Sequence, residues 1–135
     1  MYSPYRERTV NLGDCYKVYR NLNNKMFSLI AVNGEFKGKI VAHAECVTLH
    51  DVLFVVSEAS RIRACREGNR NVHAFAIGIL TSFKCHNDSA LGRLSAITYN
   101  PFLNSTFAFI TNQQPITTAT ATKVILQHGK AYATP

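Results

Sequence analysis

Four arginines crowd one short stretch of this 135-residue chain: Arg61, Arg63, Arg66 and Arg70 fall within SEASRIRACREGNRNVH, residues 57–73. Only Glu58 and Glu67 oppose them there. A guanidinium presents parallel N–H donors that match two oxygens of a phosphate, so the cluster suits a phosphate-bearing partner. The chain as a whole has the same sign, with a net charge of +7 and a pI near 9.5. The competing reading is a solvated basic face. At about 100° per residue, Ala59, Ile62 and Cys65 share one helical face, expected to lie on a sheet. Arg66 then falls inside the apolar arc, Arg63 beside it and Arg61 on its other flank. An arginine at a packed face needs an anion, either an internal carboxylate or a bound phosphate.

A second group lies in YNPFLN, residues 99–104. Tyr99 and Phe102 offer rings on which a nucleobase can stack, and Asn100 and Asn104 offer amides that can read a base edge. Asn-Pro also reads as an ordinary turn between strands. Lys123, at the head of KVILQ, adds a cation for ligand phosphates.

His43 and His73 sit in strand-like segments. His73 shares a face with Phe75, Ile77 and Ile79, and His43 with Val41 and Glu45, so both read as hydrogen-bonded core residues. Two histidines with an arginine also supply the base, acid and cation of a metal-independent ribonuclease. No complete catalytic motif accompanies them, and no catalytic residue is assigned. His86 and His128 are isolated in loops, and Cys15, Cys46, Cys65 and Cys85 form no CxxC pair. No metal site and no cofactor are expected. The cysteines read as reduced thiols of a cytosolic protein, Cys46 and Cys65 packed as small hydrophobes.

The elements that must position these residues form one domain. A hydrophobic content of 47% with 17% charged residues fits a globular chain rather than a disordered one. The first segment, MYSPYRERTVNLGD, lacks the apolar core of a secretory signal, and no apolar run approaches membrane-spanning length. Residues 1–14 read as a mobile polar arm and 15–135 as a β-rich domain. Strands are expected at 15–20, 26–32, 40–49 and 52–56, with His50-Asp51 separating the last two. A helix of about ten residues follows Ser57 as N-cap and stops at Gly68-Asn69. A strand at 72–80 closes a block ending near 84. From about 93 come strands at 95–99, 106–110 and 123–127, with a short one at 131–132. The short connections require antiparallel pairing, so the fold class is α+β: mainly antiparallel sheet with one short central helix.

VYRNLNNKMFSL followed by GKIVAHAECVTLHDVLFVVSEASRIRACREGNRNVHAF resembles a family of small phage proteins, over residues 16–75. In that pattern a YRNL-type hairpin precedes a GKVVAHA-type strand, an SEAGR-type helix start and a KNVHA-type strand. Here Ala59-Ser60-Arg61 stands in place of Ala-Gly-Arg, and Gly68-Asn69-Arg70 replaces a more basic run. The chain is identified as a member of the first-described Thoeris anti-defence family. The resemblance implies a small, β-rich hexamer that holds ligands between protomers. Its implied function is to sequester, without cleaving, cyclic ADP-ribose isomers made by TIR enzymes. Some members bind cyclic oligonucleotides of other defence systems, such as CBASS, at a separate site. The expected setting is the cytoplasm of the infected host, with a cyclic nucleotide as partner and no membrane. The alternatives are the small ribonuclease and a basic nucleic-acid-binding accessory protein.

Overall fold

A computed structural model of the chain describes residues 2–21, 25–56, 58–68, 74–87, 91, 94–98, 108–109 and 120–133. Its strands are β1 (Tyr2–Pro4), β2 (Cys15–Asn21), β3 (Met26–Ala31), β4 (Ile40–Ala44) and β5 (Cys46–Val56), followed by the helix α1 (Glu58–Glu67). After α1 come β6 (Ala74–Ser82), β7 (Ser95–Thr98), β8 (Ala108–Phe109), β9 (Thr120–Gln127) and β10 (Lys130–Ala133). All belong to one sheet, in the order β1-β4-β3-β2-β6-β5-β9-β10-β7-β8. Every ladder among the described residues is antiparallel. The mainly antiparallel sheet with one short helix, in a single domain, is as the sequence indicates.

One junction dictates the shape of this sheet. β4 and β5 lie four places apart in the strand order, yet only Glu45 separates them in the chain. In a flat sheet four places span roughly 19 Å, whereas Ala44 and Cys46 can stand at most about 7 Å apart. The sheet must therefore curl until its two halves meet at Glu45. One contact reflects that closure: Arg20 Nη1 on β2 donates to the Gly129 carbonyl (3.2 Å), while the His128 backbone N–H extends the β5–β9 ladder by donating to the Glu45 carbonyl (3.2 Å). The interior is one cluster drawn from both halves, including Val18, Leu29, Val41, Leu49, Leu80 and Val124. β2 shows the expected alternation, with Tyr16 and Val18 buried and their neighbours half-buried.

Three expectations are corrected here. The strand expected at 40–49 breaks at the exposed Glu45, and the strand break expected at His50-Asp51 is a bulge inside β5. Ladder partners shift between His50↔Ile79 and Leu53↔Ile77, and Asp51 takes a left-handed φ of 53°. Aspartate tolerates that conformation in turns and bulges alike, so its type alone does not separate the two. The segment read as a mobile arm is fastened to the sheet. β1 pairs with β4, the Tyr5 N–H donates to the Val41 carbonyl (2.9 Å), and Arg8 Nη1 donates to the Ile40 carbonyl (2.7 Å).

Candidate functional site

The helix α1 connects β5 to β6, whose ends pair at Val56↔Ala74. Gly68, at a φ of 75°, terminates it in the left-handed conformation that glycine adopts without penalty. Its packed face differs from the one expected. Ser60 and Ala64 are buried at 3% and 1% exposure, while Ile62 is 52% exposed and Ala59 is exposed as well. The small pair one turn apart permits the closest approach, and this outweighs the weak apolar arc through Ile62. The arginines exchange roles accordingly. Arg61 is half-buried and engaged, whereas Arg63 and Arg66 stand exposed, with no ion-pair or hydrogen-bond partner among the described residues. Arg66 is therefore not the packed-edge arginine; it is a cation in the last turn, where the helix dipole favours it.

Lys123 is half-buried on β9 and opposes His50 of β5. From His50 to Val56, where β5 leads into α1, six residues of strand cover roughly 20 Å. Lys123 thus pairs well along β5 from the point where that strand leads into α1. Arg70, His73, Tyr99, Asn100, Phe102 and Asn104 lie outside the described residues.

His43 is half-buried, with Nδ1 2.9 Å from the hydroxyl of the fully buried Ser28. That hydroxyl also accepts from Asn21 Nδ2 (3.2 Å), so the ring and the amide meet at one buried oxygen. Tyr5 meets the ring edge-on, at 5.6 Å between centroids. The core reading of His43 fits this arrangement.

A second basic cluster surrounds Tyr5. The guanidinium of Arg6 lies 5.2 Å from the Tyr5 ring centre, and that of Arg8 lies 5.4 Å from Tyr5 and 5.8 Å from Phe36. Sequence reading passed over these residues by treating the segment as an arm. The signal was present in YRER, where an aromatic residue stands among arginines. Arg8 is already spent on two rings and a carbonyl, so the cluster acts first as a fastening for β1.

A cavity of about 210 Å³ lies nearby, lined among others by Asn11, Asp14, Asn33, Glu35 and Phe36. Small-molecule sites usually occupy about 300–1,000 Å³, and the carboxylates of Asp14 and Glu35 would repel a pyrophosphate. This cavity does not suit the anionic ligand that the arginines suggest.

The cysteines also depart from expectation. Cys46 and Cys85 are joined in a disulfide, and Cys15 and Cys65 are half-buried thiols outside it. Cys46 opens the buried β5, and the chain leaving β6 returns over it, which no linear spacing of the two residues reveals. Burial pushes the Cys15 thiol above its ordinary range.

The model of the Mycobacterium phage L5 gene 82 protein family matches residues 9–134. The gene 82 protein of Mycobacterium phage L5 is 33% identical over 104 residues, covering 73% of this chain and 79% of that protein. No solved structure matches significantly. The chain belongs to the phage L5 gene 82 protein family, a name that states no activity.

Proposed function

We propose that this phage protein is a sponge for cyclic nucleotide immune signals, binding cyclic ADP-ribose isomers intact and so withholding them from the host effector that they activate. The observation that carries this reading is the state of α1: Arg63 and Arg66 are exposed cations with no counter-ion among the described residues. They are available to the two phosphates of such a ligand. The phage family and the motif resemblance over residues 16–75 support it. Tyr99, Asn100, Phe102 and Asn104 would hold adenine and ribose, and Lys123 would serve a phosphate in a pocket shared between protomers. Cyclic oligonucleotides are the second ligand class. The mechanism is equilibrium capture without bond cleavage, in the host cytoplasm. To outcompete an effector, affinity must reach the nanomolar range, about 12 kcal/mol.

The test is recovery of the ligand. Protein is incubated with a cyclic ADP-ribose isomer, freed of excess nucleotide and heat-denatured, and the released material is identified. Intact nucleotide in stoichiometric amount is expected. Release of a hydrolysed nucleotide would replace the sponge with an enzyme, and release of nothing would refute nucleotide capture.

A further inference from the structure

We infer that reduction of the Cys46–Cys85 disulfide creates a zinc site completed by His128. The Sγ atoms of both cysteines and a ring nitrogen of His128 lie within 4.8 Å of one another. A tetrahedral zinc with Zn–S near 2.3 Å and Zn–N near 2.0–2.1 Å holds such ligands roughly 3.5–3.8 Å apart. The imidazole thus stands at most about 1.3 Å beyond that range, and the two bonded sulfurs must part. The Cα atoms of the cysteines are 5.2 Å apart, so side-chain rotation achieves that without moving the strands.

Each ligand is held by backbone structure. Cys46 is fully buried in β5 and pairs in register with Gln127 of β9. His128 follows directly, in a two-residue hairpin turn in which both His128 (φ 49°) and Gly129 (φ 77°) are left-handed. Its N–H is tied to the Glu45 carbonyl, next to Cys46. Cys85 is held through its neighbour. The buried Gln127 amide accepts from the His86 N–H (2.7 Å) and donates to the His86 carbonyl (2.8 Å). His86 also carries a buried Nδ1 with no hydrogen-bond partner, an unsatisfied nitrogen base one residue from Cys85. Cys85 and His128 are exposed, so metal and reductant have access, and the fourth zinc position falls to water.

The conversion balances. Two molecules of a small thiol reduce the protein disulfide and leave as their own disulfide, giving two protein thiols. Zn²⁺ then forms two Zn–S bonds and displaces two protons. Disulfide and zinc are mutually exclusive, so the site reports the redox state of its surroundings. The inference is independent of the nucleotide reading.

The test uses the full chain, reduced with a phosphine, incubated with zinc chloride and freed of unbound metal. One zinc per chain is expected, together with a rise in Tm of about 5–15 °C over chelator-treated protein. Protein left oxidised is expected to retain none, and Cys15→Ser/Cys65→Ser protein is expected to retain the full equivalent. His128→Ala is expected to weaken zinc binding at least tenfold in competition with a chromophoric chelator. Cobalt loading of the unmutated chain reads the ligands without a substitution: thiolate-to-cobalt charge transfer with intense visible bands is expected. Folded, reduced protein without zinc, equal zinc on the oxidised form, or a cobalt spectrum lacking thiolate bands would overturn the inference.

Discussion

Exposure separates the arginines of α1 into two kinds, and substitution should separate them as well. Arg63→Ala and Arg66→Ala remove exposed cations, so stability is expected to stay within about 0.5 kcal/mol of the parent. Calorimetry with a cyclic ADP-ribose isomer is expected to show affinity lower by about ten- to a hundredfold for each, since one charge-assisted bond to phosphate is lost. Arg61→Ala is expected to cost about 1–2 kcal/mol in thermal melts, because its half-buried stem and its partner are lost together. Unchanged affinity in both Arg63→Ala and Arg66→Ala would remove α1 from the ligand site. The identity of the cluster was legible in the sequence, but the facing of the helix was not: a ten-residue helix this polar has no strong periodicity, and two small residues decided its contact. His43 allows a similar separation. His43→Ala leaves the buried Ser28 hydroxyl without its ring partner and is expected to lower stability by about 1–3 kcal/mol while released nucleotide stays intact. A cleavage product formed by the parent protein and lost in a folded His43→Ala variant would reverse that assignment. Cys15 supplies a pH dependence. Its thiol is pushed above the reference value of 9.0 by burial, so the folded state keeps a proton that the unfolded state gives up. The stabilising contribution is full below about pH 9 and falls as pH rises through the folded-state value. Cys15→Ala is expected to flatten part of the stability loss in melts taken between about pH 8 and 10.5; an unaltered slope would refute this.

At the scale of elements, the bulge in β5 and the glycine opposite it form one device. Gly78 lies on β6 between the ladder partners Ile77 and Ile79, where β5 carries its extra residue. A Cβ there would sit 3.0 Å from the His50 carbonyl oxygen, 3.0 Å from Val52 Cγ2 and 3.2 Å from Leu49 Cβ. Because one of these contacts is backbone, Gly78→Ala must displace a central strand. A loss of about 1–3 kcal/mol is expected by denaturant titration, and a neutral result would refute the close approach. Strands with clear alternation or a dense apolar run were legible in sequence, as in β2, β3 and β6, and so was the helix between Ser57 and Gly68. The break at Glu45, the bulge at Asp51 and the docking of Tyr2–Pro4 were not. Each is imposed by long-range pairing: one residue must turn the corner between distant strands, and an edge of β4 is open to the first residues of the chain. The disulfide belongs with these, since Cys46 and Cys85, 39 residues apart, meet only after β6 has paired with β5, just beyond Thr48↔Ser82.

The whole molecule poses the question of where a two-phosphate ligand could be enclosed. Within one chain, Lys123 pairs with His50, roughly 20 Å of strand before β5 leads into α1. The cavity near Glu35 is about 210 Å³ and lined by two carboxylates, so it offers neither the room nor the sign. A nanomolar complex with a cyclic dinucleotide-sized ligand requires most of the ligand surface to be buried. Exposed arginines on one protomer and base-binding residues on another would satisfy that requirement, and a heterologous contact between them closes naturally into a ring. The sheet supplies surfaces for such a contact, since β1 and β8 stand at the two ends of its strand order among the described residues. A stable assembly larger than a dimer is therefore expected, with the hexamer implied by the family resemblance as the specific outcome. Light scattering at micromolar concentration should give about six times the 15.0 kDa chain mass. Mixing Arg63→Ala/Arg66→Ala chains with Tyr99→Ala/Phe102→Ala chains should restore a fraction of the sites if the two residue sets meet across an interface. A 15.0 kDa particle with and without ligand would instead require the nucleotide to be held by one chain, and the division of its site between protomers would be wrong.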